Sequence, residues 1–134
     1  MPRSFRKNMA ALAGIFPFLE QELQSHRASS ATIFAVSLAV EELFTNMVKY
    51  SSPGAGTVCI SVGTGKGSCH IVMEECGVEP FDPTGAGEVD LPGHLESGRP
   101  GGLGLYLVRH LVDDVHFEYR NRCNVITVSK ELES

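Results

Sequence analysis

Positive charge is scarce in this chain of 134 residues: 11 Lys and Arg stand against 16 Asp and Glu, for a net charge of −5. Nucleic-acid binders neutralise phosphates with a basic patch, and none is visible here, so direct nucleic-acid recognition is disfavoured. Long apolar runs are missing as well. No stretch reads as reaching spanning length, and the N-terminal segment, with Arg3, Arg6 and Lys7 ahead of Met9–Leu19, is broken by Gly14 and Pro17. It reads as the start of an amphipathic helix, not as a signal peptide or a membrane span. Cysteine is limited to Cys59, Cys69, Cys76 and Cys123, without a CxxC pair or a Cys/His spacing that suits zinc. These four read as small apolar fillers in a reducing, cytoplasmic compartment. The five histidines, His26, His70, His94, His110 and His116, are scattered, and no Ser/His/Asp constellation is in view. Internal repeats and a second domain are also lacking, while the length suffices for one domain with a proper core.

What is present is a legible order of elements. Asn8 to about Ser25 reads as a first helix, with Leu12, Ile15, Phe16 and Leu19 as its apolar side and Pro17 as a kink. A second helix, capped by Ser29 or Ser30, carries Ile33, Val36, Val40, Leu43, Met47 and Tyr50 at alternating steps of three and four, which predicts one buried stripe. Ser51-Ser52-Pro53-Gly54-Ala55-Gly56 stops it. Strands are predicted over Thr57–Val62 and Ser68–Glu74, joined by the Gly-rich turn 63–67. A polar segment over 81–100 follows, long enough to suggest a lid over a ligand. A helix over Leu103–Val112 and a hairpin, Val115–Tyr119 and Asn124–Ser129 turning at Asn121, close the chain. This order predicts an α+β fold: a two-layer sandwich whose mixed, mostly antiparallel sheet has all helices on one face.

Three stretches place polar residues toward the gap between such layers. Glu42 and Asn46 lie one helical turn apart beside the buried stripe, although the same spacing also suits a solvated flank. Glu75 is in step with Cys69, Ile71 and Met73, so period two aims its carboxylate inward unless the strand ends first and it reaches water. A buried carboxylate without a partner is costly, so something must donate hydrogen bonds to it; an adenine amino group is one such donor. Finally, Gly101-Gly102-Leu103-Gly104-Leu105 runs into a helix. Glycines let the backbone approach an anion, and the first helical turn presents unpaired N–H groups at the positive end of the macrodipole, although the same residues also suit a loop that merely caps a helix.

In this order the stretches resemble the GHKL (Bergerat-fold) ATPases, and within them the bacterial anti-sigma-factor serine-protein kinases, from about Asn8 to Glu131. Glu41-Glu42-Leu43-Phe44-Thr45-Asn46-Met47-Val48-Lys49-Tyr50 resembles the family's N box, Glu75-Cys76-Gly77-Val78-Glu79-Pro80-Phe81-Asp82-Pro83 its adenine-binding box, and Gly101 to Arg109 the box that closes on the phosphates. Asn124-Val125-Ile126-Thr127-Val128 is similar to the family's last strand. Two departures stand out: Glu75 occupies the place of the usual Asp, and one extra residue separates Gly77 from Pro80-Phe81.

The resemblance implies a cytoplasmic ATP-dependent protein serine/threonine kinase that phosphorylates a small anti-anti-sigma (antagonist) protein and sequesters a sigma factor. Glu42 would act as base, and Asn46 would hold magnesium. Glu75 would recognise adenine, with Gly77 allowing its close approach. Arg99 would neutralise terminal phosphate charge, and the backbone of Gly102, Leu103, Gly104 and Leu105 would cradle the phosphates. A strand ahead of the first helix would serve a homodimer. A nucleotide-independent binding module and a histidine-kinase-like ATPase domain stay open as alternatives.

Overall fold

Apolar residues alternate through four segments that form strands, and a short fifth strand carries one buried apolar residue, Phe5. The computed structural model describes residues 2–51, 56–80 and 102–133. Its elements are β1 (Arg3–Arg6), a single 3-10 turn (Met9–Ala11), α1 (Leu12–Ser25), α2 (Ser30–Tyr50), β2 (Thr57–Gly65), β3 (Ser68–Cys76), α3 (Gly102–Leu111), β4 (Asp114–Arg120) and β5 (Cys123–Glu131). The strands form one sheet in the order β1-β2-β3-β5-β4, and every described pairing is antiparallel. The fold is therefore the expected α+β sandwich, with no parallel pair among the described residues.

The inner faces of the strands build the core with the helices. Val58, Ile60, Cys69, Ile71, Met73, Ile126 and Val128 are fully buried against Ile15, Leu19, Val36, Val40, Leu43 and Met47. Ser29 caps α2 by accepting the N–H of Thr32 at 3.0 Å. The buried stripe of α2 is wider than the three-four pattern, taking in Thr32, Ala35, Ala39 and Phe44, while Tyr50 at its end is 46% exposed and leaves the stripe. On α1, Phe18 and Leu23 are buried with Ile15 and Leu19, and Phe16 is only half-buried. By length and a mean hydropathy of 1.4, α2 passes as long and apolar enough to cross a membrane, contrary to the reading that no stretch reaches that length. Half of that apolar stretch is buried inside this domain, as in a core helix.

Both hairpins turn more tightly than expected. Pairing runs from Cys59↔Glu74 out to Gly65↔Ser68, leaving only Lys66 and Gly67 in the turn, with φ of 55° and 80°. Two-residue hairpin loops demand positive φ at both positions because that twist matches the flanking strands. Asn121 and Arg122, at 51° and 62°, do the same between β4 and β5.

The cysteines require a correction. Cys76 and Cys123 are direct partners across β3 and β5 and are joined by a disulfide, although 47 positions separate them in sequence. Local spacing cannot reveal such a pair, since register alone brings the two together. Cys69 does behave as a filler, fully buried, with burial pushing its thiol pKa up.

Candidate functional site

Period two carries the inner face of β3 through to its end, so that Glu75 is fully buried in the gap between sheet and helices. The protein supplies the partners such a carboxylate needs. Ser51, the residue that ends α2, donates its hydroxyl to Oε1 at 2.9 Å. Lys7 brings Nζ to 2.6 Å from Oε2, with its side chain 4% exposed. Oε2 makes no hydrogen bond of regular geometry, so the ion pair is what satisfies it.

Neither Lys7 nor Ser51 stands out in the sequence. The signal that could have found Lys7 is phase. Phe5 is buried on the inner face of β1, and Lys7 lies two positions further on. Its N–H continues the ladder by donating to the Gly56 carbonyl at 3.0 Å.

Beyond Glu75 the chain is fastened to the β4–β5 hairpin. Gly77 adopts φ of +74°, a left-handed conformation that favours glycine, and donates its N–H to the Arg122 carbonyl at 2.8 Å. Tyr119 donates its hydroxyl to the Val78 carbonyl at 2.7 Å. Asn124, opposite Glu75 in the register and almost fully buried, donates its amide to the Glu79 carbonyl at 3.2 Å. These bonds fix where the segment after β3 leaves the sheet.

On α2, Asn46 is buried and Glu42, one turn earlier, is half-buried. Burial pushes the Glu42 carboxyl above the usual carboxylate range; Glu41 adds to this, and Lys49 partly offsets it. Helix α3 begins at Gly102 and packs against α2. Gly102, Leu103, Gly104 and Leu105 thus form its first turn, whose N–H groups have no intrahelical acceptors. Ser51 ties the end of α2 to β3, and helix packing ties α2 to α3, so the three expected stretches stand on adjoining elements. Arg99, Phe81-Asp82-Pro83 and the expected lid lie outside the described residues.

Other clusters stand apart from these residues. A hollow of about 530 Å³ opens at the opposite end of β3, lined by His26, Arg27, Lys66, Ser68, Glu131 and Glu133 among others, and none of the expected site residues borders it. Glu74, Cys76 and Cys123 place ligand atoms within 4.8 Å of one another, but the two sulfurs are joined to each other and offer no thiolate. His70 shares a hydrogen bond with Ser129, and His110 with the Tyr106 carbonyl, both away from Glu75.

A family model described as a histidine kinase-like ATPase domain matches residues 5–130. Among solved structures, the RsbU and RsbW domains of Rv1364c from Mycobacterium tuberculosis are similar with a TM-score of 0.65 at 14% identity, over 98% of this chain and 32% of that one. The nucleotide-free catalytic domain of histidine kinase ThkA gives 0.57 at 11% identity, over 100% and 99% of the two chains. The histidine kinase AdeS of Acinetobacter baumannii gives 0.52 at 13% identity, over 98% and 68%. At these identities the structures share the fold alone. No curated protein sequence matches the chain.

Proposed function

Because this chain belongs to the histidine kinase-like ATPase domain family, we propose that it binds MgATP and transfers the γ-phosphoryl group to a serine or threonine of a small partner protein. In this reading it is an anti-sigma-type kinase that also sequesters a sigma factor. The observation that carries the reading is on α2. A half-buried carboxylate with a raised pKa, Glu42, precedes a buried amide, Asn46, by one turn, on a helix packed against the glycine-led start of α3. The similarity to a structure containing an RsbW domain agrees with it.

The roles follow from chemistry. Glu42 takes the proton of the attacking hydroxyl while its oxygen bonds to phosphorus and ADP departs in line. The amide oxygen of Asn46 is a hard, neutral donor of the kind magnesium accepts beside phosphate oxygens and water, so the residue fits the ion. Bound magnesium would supply charge neutralisation at the phosphates. The first turn of α3, Gly102 to Leu105, supplies N–H donors to the same groups. Arg99 is assigned to terminal phosphate charge and Glu75, with Gly77, to the base.

Thermal unfolding with and without MgATP tests the binding step. Nucleotide at a hundred times its dissociation constant adds about 2.7 kcal/mol of stability. A melting temperature indifferent to MgATP would remove the kinase reading. It would favour a second reading, a nucleotide-independent binding module, which has one observation on its side: both oxygens of Glu75 are already engaged by Ser51 and Lys7.

A further inference from the structure

We propose that Lys7 is a specificity-determining residue of the base pocket, blunting selection for the 6-amino group of adenine by occupying the carboxylate that would read it. The inference rests on the nucleotide-binding reading above and adds a residue outside the three matched boxes.

The argument begins with what Glu75 has left to offer. An ionised carboxylate only accepts, and at full burial each of its oxygens must be met. Oε1 takes the Ser51 hydroxyl at 2.9 Å and Oε2 the Lys7 ammonium at 2.6 Å. Lys7 is held there by its backbone, whose N–H extends the β1–β2 ladder onto Gly56.

A purine with a 6-amino group therefore meets an engaged acceptor. To donate to Glu75, the amino group must either displace one of these donors or share an oxygen whose charge the Lys7 ammonium already offsets. Hydrogen bonds between two charged groups are stronger than those with one, so displacement brings no gain, and a shared oxygen offers the amino group a weaker acceptor than an unpaired carboxylate would. The wild-type pocket accordingly takes purine triphosphates with little regard for the 6-amino group. Removing the ammonium frees the acceptor, and selectivity for adenine returns.

The experiment is a two-by-two comparison on the full chain. Dissociation constants are measured by calorimetry for MgATP and for the magnesium complex of purine riboside triphosphate, which lacks only the 6-amino group, on wild type and Lys7→Met. Wild type is expected to bind the two with affinities within about threefold. Lys7→Met is expected to prefer ATP by at least about tenfold, a difference of roughly 1.4 kcal/mol. Lys7→Gln keeps a neutral donor on Glu75, guarding against a variant that fails to fold with its carboxylate unpaired, and its preference for ATP should fall between the two.

Equal ratios in wild type, Lys7→Gln and Lys7→Met, with nucleotide bound by all three, would overturn the role of Lys7 and leave the ATP reading standing. Strong preference for ATP in wild type would do the same. Binding of neither nucleotide by any variant would bring down the ATP reading and this inference together.

Discussion

Glu42 and Glu75 are two carboxylates at different depths of the same fold, and their surroundings treat them in opposite ways. Glu42 lies half-buried on the flank of α2. Desolvation there raises its pKa, with Lys49 as a partial counterweight. Glu75 lies fully buried at the end of β3, with an ammonium and a hydroxyl on its two oxygens. Partial burial makes a carboxylate a better base, because the charged form is disfavoured without being neutralised by a partner. Complete burial with partners turns a carboxylate into a fixed part of the scaffold, and any reading of a ligand must then go through those partners.

Substitutions at these two residues and their neighbours test the contrast. The largest expected effect is at Glu42. Replacing it by Gln keeps shape and removes basicity, so phosphoryl transfer should fall about 10²–10⁴-fold with MgATP affinity retained. A single-turnover assay beside calorimetry measures both. If binding is lost instead, Glu42 belongs with Glu75 as scaffold and the contrast disappears.

Glu75→Ala should cost stability, by about 3–5 kcal/mol in denaturant unfolding, because it strands the Lys7 ammonium in a buried site. A cost under about 1 kcal/mol would mean that Lys7 swings out to water and that the pair is weakly held. Ser51→Ala removes one hydrogen bond to the same carboxylate and should cost about 2 kcal/mol.

The smallest effect is electrostatic. A carboxyl whose pKa is raised above 4.5 by folding binds protons more tightly in the native than in the unfolded state. Its contribution to stability is therefore full below the ordinary value and declines as pH rises from there through the raised value, whereas the base needed for transfer appears over that same rise. Lys49→Met removes the charge that lowers the pKa, so the acid limb of the transfer rate should move to higher pH. A downward shift would show that Lys49 acts on something other than Glu42.

Much of the frame was legible because it depends on local period. The stripe Val36, Val40, Leu43, Met47 and the alternation Cys69, Ile71, Met73, Glu75 each follow from a backbone repeat, and both proved buried. So did the demand that Glu75 receive a donor. The identity of that donor was not legible: adenine was the expectation, and Ser51 and Lys7 hold the position. Tyr50 failed in the other direction. It continues the spacing of α2 past the point where the sheet covers it, and is exposed.

Amino-acid order by itself determined the three α-helices and four of the five strands, their inward faces, the pairing of Glu42 with Asn46 on one helical flank and the placement of four N–H groups at the head of α3. These depend on repeats of two and 3.6 residues and on unpaired groups at helix ends, which need no knowledge of distant neighbours. Contacts across the chain were decided only by the assembled sheet. Register set Cys76 against Cys123, and the β1–β2 ladder delivered Lys7 to a carboxylate 68 positions away in a fully buried corner.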